Sequence, residues 1–145
     1  MESCPVIDAV GIWFYSVKTN RYLYLMRNDP KNPNTWGLAG GKCDPGESLM
    51  TTIYRECQEE LGKMPEYTKL VPIEKFTSPD GQFGYHTFFC MIEDEFTPVL
   101  NDEHYGYAWL DSGHWPKPMH PGLWATVNFE EVQKKIEIVK NQTSQ

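Results

Sequence analysis

Residues 41–63 read GKCDPGESLMTTIYRECQEELGK, a glycine-bounded stretch in which apolar and charged residues recur with a helical period. The pattern predicts a helix over residues 48–62. Glu47 lies at the positive end of the helix dipole, where a negative charge is favourable. Gly62 is a natural stop, because glycine readily adopts the left-handed conformation that ends many helices. This predicted helix places the charged residues of the stretch on defined faces.

Two faces of the predicted helix differ when successive residues are placed about 100° apart. The first is a broad apolar stripe made of Met50, Ile53, Tyr54, Cys57, Leu61 and Met64. The neighbouring face carries Glu56, Glu59 and Glu60 at the spacing i, i+3, i+4. Arg55 lies one turn before Glu59. We therefore expect one edge of the helix to pack on a sheet and the next edge to present three carboxylates.

Three carboxylates on one helix face have two interpretations. The face can simply be solvated, because like charges at this spacing repel only weakly. It can also bind a divalent cation, because Mg²⁺ prefers carboxylate, water and phosphate oxygens. The second interpretation also accounts for Gly40 and Gly41, whose flexible backbone can bring a carbonyl close as a further ligand. Arg55 is then placed to orient Glu59.

The spaced charged and glycine positions of this stretch resemble the Nudix box. Every such position of the box is met, at Gly41, Glu47, Arg55, Glu56, Glu59, Glu60 and Gly62. The sequence departs from the box at Cys57 and Lys63, where bulky aliphatic residues are usual, and at Ala39, where proline is frequent. These departures affect packing and loop rigidity rather than the carboxylates.

The resemblance implies a fold, an activity and a cofactor. The expected fold is α/β (α+β), a Nudix-type α/β/α sandwich with a mixed central β-sheet. The expected activity is hydrolysis of the diphosphate linkage in a nucleoside diphosphate joined to another group, with Mg²⁺ or Mn²⁺ as cofactor. By resemblance, the metal ligands and catalytic residues are Glu56, Glu59, Glu60 and the backbone carbonyl of Gly40.

Candidates also lie outside the box. A metal ligand or base beyond it is usual in the family, and Glu103, just before a predicted strand, is our candidate. The alternative is an ordinary acid in a surface loop. Arg27 ends a predicted strand and can hold a phosphate through its planar fork, and Lys42 can also approach a phosphate. The alternative for Arg27 is a solvated strand-end position.

Aromatic residues are abundant, at 14% of the chain, and some of them can stack on a nucleobase. The candidates are Trp36, Tyr85 and Tyr105, although most aromatic side chains pack in cores. Among the four histidines no pair has the spacing of metal ligands. His104 is the most interesting of them, because it follows Glu103 directly.

The remaining pattern predicts mainly strands around the helix. The predicted strands are residues 6–15, 21–27, 67–77, 85–92 and 106–110. Residues 28–35 and the turn at 79–81 are rich in Pro, Asn, Asp and Gly, which favour loops. A last helix is predicted over residues 129–140, with Asn128 as its cap. The segment 115–123 is either a loop near the substrate opening or a plain connection.

Length and charge narrow the class of protein. The 145 residues contain no repeat or linker, so we expect one domain over residues 1–145. The formal net charge of -7 disfavours binding to extended nucleic acid. No apolar stretch is long enough for a bilayer, and residues 1–5 lack the features of a secretion signal, so we expect a cytoplasmic protein. Family members are often dimers, so a homodimer is an open expectation.

The substrate is left open by the sequence. Pro79, sixteen residues after the box, weakly resembles the ADP-ribose pyrophosphatase pattern, but a hairpin turn explains it equally well. ADP-ribose, dinucleoside polyphosphates and nucleoside triphosphates are all compatible with the box. A Nudix-like module that binds a nucleotide or RNA without hydrolysis is the competing function. The presence of every box carboxylate argues against that alternative.

Overall fold

The computed structural model describes residues 6–142, and these form seven strands and three helices. The strands are β1 (Ile7–Ser16), β2 (Arg21–Arg27), β3 (Trp36–Gly37), β4 (Ala39–Lys42), β5 (Lys69–Thr77), β6 (Phe83–Ile92) and β7 (His104–Asp111). The helices are α1 (Leu49–Leu61), α2 (Pro121–Val127) and α3 (Glu130–Gln142). Residues 1–5, which entered the expectation about localisation, lie outside the described part. None of the helices in the described range is long and apolar enough to cross a membrane.

Strand β1 is the centre of a mixed sheet. It pairs in parallel with β6 over its whole length, from Ile7 opposite Phe83 to Ser16 opposite Ile92. Its other edge is divided between two antiparallel partners, β4 near the start of β1 and β2 near its end. Strands β5 and β7 pair antiparallel with β6 and β2. Strand β3 pairs antiparallel with the end of β2, with Leu25 opposite Gly37 and Met26 opposite Trp36.

A hydrophobic core lies on each face of the sheet, because successive strand residues point to opposite sides. Val10, Ile12 and Phe14 of β1 pack with α1 in the first core. Trp13 and Tyr15 of β1 pack with α2 and α3 in the second. This arrangement confirms the predicted α/β/α sandwich with a mixed central sheet.

The central helix has the predicted bounds but not the predicted orientation. Ser48 caps it by accepting a hydrogen bond from the Thr51 amide, and Gly62 ends it with φ at 94°. Its buried residues are Thr52, Ile53, Glu56, Cys57, Glu60 and Leu61. Met50 and Tyr54, assigned to the packed stripe by the sequence, are 43% and 44% exposed. The buried face of α1 therefore includes Glu56 and Glu60. The prediction that these two residues lie on a separate edge of exposed carboxylates is wrong.

The end of the chain differs from the prediction at one further point. Residues 121–127 form the helix α2, which was not predicted. Asn128 ends α2 as its C-cap residue and donates a side-chain hydrogen bond to the Trp124 carbonyl. The prediction that Asn128 begins the last helix is therefore wrong, although α3 itself is present. Helix α2 lies against the second core through Leu123 and Val127.

Candidate active site

The guanidinium of Arg55 joins the helix to the loop that precedes it. Its Nε and Nη2 donate to the two carboxylate oxygens of Glu47 at 2.8 and 3.0 Å, and Nη2 also donates to the Lys42 carbonyl at 3.0 Å. Nη1 donates to Glu56 at 2.9 Å and to Glu59 at 3.1 Å. The hydrogen bonds from Arg55 are the main reason that the pKa of Glu47 falls to about 2. The predicted Arg55–Glu59 contact is present, within a wider network that orders the loop.

Two of the box glutamates are buried where α1 meets β4. The side chains of Glu60 and Glu56 are 1% and 10% exposed. Glu60 accepts a hydrogen bond from the Gly40 amide at 3.1 Å, and a Cβ atom at Gly41 would lie only 2.7 Å from the Glu56 carboxylate. Gly41 is therefore required because the Glu56 carboxylate packs directly on its backbone, whereas Gly40 is required because a Cβ atom there would lie 2.0 Å from the Val10 carbonyl oxygen. Gly40 contacts Glu60 through its amide, while the metal-ligand role of its carbonyl stays a prediction.

Burial changes the protonation of this glutamate pair. Loss of solvation is the largest cause that raises the pKa of Glu60 to about 10, followed by hydrogen bonding with Glu103 and Glu56. Burial is also the main cause that raises the pKa of Glu56. Without a cation, adjacent buried carboxylates cannot all be ionised. A bound divalent cation neutralises such a group, so the donor set fits the metal that the box implies.

The first residue of β7 and the residue before it bring two more side chains to Glu60. Ligand atoms of Glu60, Glu103 and His104 all lie within 4.8 Å of one another. The backbone carbonyl of Glu103 accepts a hydrogen bond from the Asn28 amide at 3.0 Å, which fixes the loop before β7 beside the end of β2. The structure therefore brings the predicted Glu103 together with Glu60. Glu59 does not join them, because its side chain is 51% exposed and turns to Arg55.

A cleft of about 460 Å³ lies on the other face of the sheet, between strands β5 and β6 and helix α2. Its apolar walls include Leu38, Phe76, Phe83 and Leu123. Its polar lining includes Arg27, Lys42, Glu74, Tyr85, His120 and Thr126. The cleft therefore combines an apolar interior with two cations and a carboxylate.

The predicted substrate-binding residues divide between the cleft and the core. Arg27 and Lys42 both line the cleft, and Arg27 donates from Nε to Asp29 at 2.6 Å. Trp36 does not line it. Trp36 packs against the second core, and its amide donates to the Pro118 carbonyl at 2.8 Å. The predicted stacking of a base on Trp36 therefore does not enter the proposed function.

Tyr85 lines the cleft where β6 lies beside β1. A Cβ atom at Gly11 would lie 2.0 Å from its hydroxyl oxygen, so only glycine there lets the tyrosine ring lie across β1. Burial raises the pKa of Tyr85 to about 12, with an opposing effect from the positive charge of Arg27 and a reinforcing one from Glu60. Of the three aromatic residues predicted to stack on a base, Tyr85 is therefore the one that lines the cleft. Tyr105 is 61% exposed on β7 and is not part of the cleft lining.

Helix α2 forms the cleft wall that the sequence interpretation missed. His120 caps it by accepting from the Gly122 amide at 3.0 Å, and Pro121 occupies its first turn, where the missing amide hydrogen costs nothing. The signal that could have revealed α2 is this Pro position after a capping side chain. From α2, Thr126 donates its hydroxyl to Glu74 at 2.6 Å inside the cleft.

Sequence comparison agrees with this geometry. A family profile described as the NUDIX domain matches residues 6–127. The chain belongs to the NUDIX family. The prediction of a Nudix hydrolase is thereby confirmed. Among curated relatives, this NUDIX chain is similar to the nucleoside triphosphatase NudI of an Escherichia coli strain, with 33% identity over 120 residues that cover 74% of this chain and 78% of that protein.

Solved NUDIX structures have the same fold. The MutT protein from Methanosarcina mazei Go1 matches with a TM-score of 0.66 and 23% identity, over 93% of this chain and 98% of that one. The Nudix hydrolase RenU from M. smegmatis matches with a TM-score of 0.68 and 18% identity, over 97% of this chain and 89% of that one. At these identities the structural likeness establishes the NUDIX fold, and the substrate has to be inferred from the site.

Proposed function

We propose that this NUDIX protein is a divalent-metal-dependent pyrophosphatase that hydrolyses nucleoside triphosphates to nucleoside monophosphates and diphosphate. The observation that carries the proposal is the place of Arg27: it lines the cleft of about 460 Å³ and pairs in the sheet with His104, whose Nδ1 lies 3.9 Å from the buried Glu60 carboxylate. Nucleotide sites usually combine an apolar pocket with a few convergent polar groups. The acidic group provides the place for phosphate chemistry, and the cleft provides the place for the nucleoside.

The phosphate end of the substrate is assigned to the side of the cleft that carries Arg27 and Lys42. Asp29 holds the Arg27 guanidinium in position through Nε and Nη2, and the opposite edge, formed by Nη1 and Nη2, can donate two parallel hydrogen bonds to a phosphate. Lys42 adds a second positive charge at the cleft. Both cations offset the net charge of -7 near an anionic substrate.

The base end is assigned to the apolar part of the cleft. Phe76 and Phe83 supply aromatic surface that can pack on a nucleobase, and Leu123 of α2 also lines the cleft. Glu74 lies in the same lining, with one carboxylate oxygen accepting the Thr126 hydroxyl. Its other oxygen can accept an N–H donor of a base. The base end therefore has the means to distinguish nucleobases.

The metal is assigned to the carboxylates of Glu56, Glu60 and Glu103. When bound, a divalent cation neutralises phosphate charge and makes a coordinated water more acidic. The residues of the chain do the positioning. Arg55 fixes Glu56 and Glu59 through its Nη1 hydrogen bonds, and a carboxylate of this group orients the attacking water and accepts its proton. Mg²⁺ and Mn²⁺ are both suited to the oxygen donors, and the predicted roles of Glu59 and the Gly40 carbonyl stay part of the proposal.

Nucleoside triphosphates are preferred over the other substrates for one reason. The curated relatives at 30 to 33% identity are named nucleoside triphosphatases. Pro79, the weak pointer to ADP-ribose, lies in the turn between β5 and β6 and is not part of the cleft lining. ADP-ribose and dinucleoside polyphosphates are therefore the competing substrates in the test.

A substrate panel tests the proposal directly. The panel contains the eight common ribo- and deoxyribonucleoside triphosphates, ADP-ribose and a diadenosine polyphosphate. Each compound is incubated with the protein and Mg²⁺, Mn²⁺ or EDTA, and the products are separated by anion-exchange chromatography. We expect a monophosphate and diphosphate from at least one triphosphate, and no turnover in EDTA. Turnover of ADP-ribose alone would replace the substrate, and binding without turnover of any compound would favour the non-catalytic module.

The remaining expectations of the sequence belong to the same proposal. We propose one catalytic domain, a small nucleotide as the partner, no extended nucleic acid, and a cytoplasmic location. A homodimer is tested by sedimentation equilibrium of the purified protein. A monomer would leave the proposed chemistry unchanged, because every residue assigned to it lies within one chain.

A further inference from the structure

His104 carries a buried nitrogen that no described residue satisfies. Its side chain is 7% exposed, and its Nδ1 atom has no hydrogen-bond partner among residues 6–142. This atom lies 3.9 Å from Oε1 of Glu60, whose own side chain is 1% exposed. Buried polar atoms are almost always hydrogen-bonded, so an unpaired one beside a buried carboxylate calls for a physical explanation.

An irregularity in the sheet places this imidazole. Strands β2 and β7 pair regularly up to Met26 opposite Gly106, but the next residue, Arg27, pairs with His104. The shift leaves Tyr105 as an extra residue in β7, and in a regular ladder Tyr105 would stand opposite Arg27 instead. Bulges of this kind often redirect a side chain beside an active site. The fold therefore departs from regular pairing at the point where His104 reaches the acidic group.

The distances suit a shared ion. Two ligand atoms that each lie about 2.1 Å from one cation are no more than about 4.2 Å apart. The 3.9 Å between Nδ1 of His104 and Oε1 of Glu60 is within that limit. A Glu103 carboxylate oxygen completes a set whose members all lie within 4.8 Å of one another. Small side-chain movements are enough for all three to contact a single ion.

We propose that His104 binds the same divalent cation as the carboxylates of Glu60 and Glu103, as a nitrogen ligand, and that His104 makes the protein select Mn²⁺ over Mg²⁺. Mg²⁺ is bound almost entirely by oxygen, whereas imidazole nitrogen is a good ligand for divalent transition metals. The inference deepens the proposed function, because it concerns the metal at the same site. It assigns a binding role to a residue outside the box, which accounts for the unpaired nitrogen.

The nitrogen ligand is tested by electron spin echo spectroscopy. The sample is the full chain with one equivalent of Mn²⁺ and no nucleotide. We expect modulation from a directly bound ¹⁴N nucleus, replaced by the ¹⁵N pattern when histidine is ¹⁵N-labelled. His104→Asn should abolish the modulation. His114→Asn is the matched control, because His114 is exposed and outside this group. Absence of histidine modulation in the unchanged chain overturns the proposal even if the variant fails to fold.

Competition binding tests the selectivity. The free Mn²⁺ signal is followed while Mg²⁺ is added, for the unchanged chain and for both histidine variants. His104→Asn should lower the preference for Mn²⁺ over Mg²⁺ by about tenfold or more, and His114→Asn should leave it unchanged. An unchanged preference in a folded His104→Asn protein overturns the proposal. These readouts need no turnover, so a histidine-bound Mn²⁺ in a protein that hydrolyses no nucleotide would contradict the proposed function alone.

Discussion

The two faces of the sheet divide the site between them. On the α1 face, two carboxyl groups are buried beside a hydrophobic core: Glu56 packs on Gly41, and Glu60 accepts a hydrogen bond from the Gly40 amide. On the α2 face, a cleft with mainly apolar walls carries its charges at Arg27, Lys42 and Glu74. Under the proposed function, the first region is the same for every substrate, while the second contacts the part of the substrate that varies. Changes in the first should therefore alter turnover of all nucleotides, and changes in the second should alter selectivity among them.

The largest expected effect is on the α1 face. Glu60→Gln removes a metal-binding charge while keeping the side-chain shape, so kcat should fall on the order of 10³-fold for every nucleotide that is hydrolysed. Steady-state kinetics measures this, and circular dichroism checks that the variant is folded. Glu130→Gln on the exposed start of α3 is the control and should be active. Activity retained in the folded Glu60→Gln protein would remove Glu60 from the metal site.

The same division explains what the sequence could and could not predict about α1. Its bounds follow from local signals, Ser48 before it and Gly62 after it, which act within one turn. Its orientation does not, because a helical wheel weights apolar residues and places glutamates outwards. Here the wheel fails at Glu56 and Glu60, because Gly41 leaves room for the Glu56 carboxylate and the Gly40 amide donates a hydrogen bond to Glu60. The conflict between polarity and burial occurs at the functional residues themselves.

The cleft was harder to foresee than the helix. Helix α2 has only seven residues and begins Pro-Gly, so its pattern is too short to separate from a loop. Arg27 and Lys42 could be proposed as phosphate ligands from their types and positions. Glu74 could not, because its role depends on a hydrogen bond to Thr126, 52 positions further along the chain. Contacts of this separation depend on the tertiary fold.

A smaller effect is expected where the two regions meet. Arg27→Ala should lower kcat/KM for triphosphates roughly ten- to a hundredfold, because a bidentate phosphate ligand is lost. Arg21→Ala is the matched control: Arg21 begins the same strand and also pairs with a carboxylate, Glu95, but it is not part of the cleft lining. Kinetics with a triphosphate and with its monophosphate product as inhibitor measures the loss. Equal effects of the two substitutions would mean that Arg27 acts only through the stability of β2.

A still smaller effect should be confined to the α2 face. Cytidine and uridine triphosphates have the same size but present an amino group and a carbonyl at the same position of the base. The Glu74 carboxylate accepts hydrogen bonds and repels carbonyl oxygens, so we expect the cytidine nucleotide to be preferred. Glu74→Gln should reduce the ratio of kcat/KM between the two by about tenfold, with little change in kcat. Glu131→Gln, on exposed α3 surface, should leave the ratio unchanged. A large fall in kcat with both nucleotides would break the proposed division of roles.

The smallest effect is on the stability of the metal-free protein, whose pH dependence should come from the α1 face and not from the α2 face. In the folded chain the pKa of Glu60 is raised to about 10, above its ordinary value of 4.5, mainly because the group is buried. Between those values the folded chain holds a proton that the unfolded chain has released, so the free energy of unfolding decreases as pH rises. In EDTA, Tm should fall on the order of 10 °C between pH 6 and pH 9.

Two variants show which face this pH dependence belongs to. Glu60→Gln cannot release the proton, so its Tm in EDTA should change much less over the same range. Glu74→Gln should keep the slope of the unchanged chain, because Glu74 lies in the cleft lining rather than in the buried pair. Added Mn²⁺ should reduce or reverse the slope, since the metal binds the ionised carboxylates and competes with the proton. A Tm in EDTA that stays level or rises with pH would mean that Glu60 is ionised in the metal-free fold. The α1 face would then not differ from the α2 face in binding a proton that affects stability.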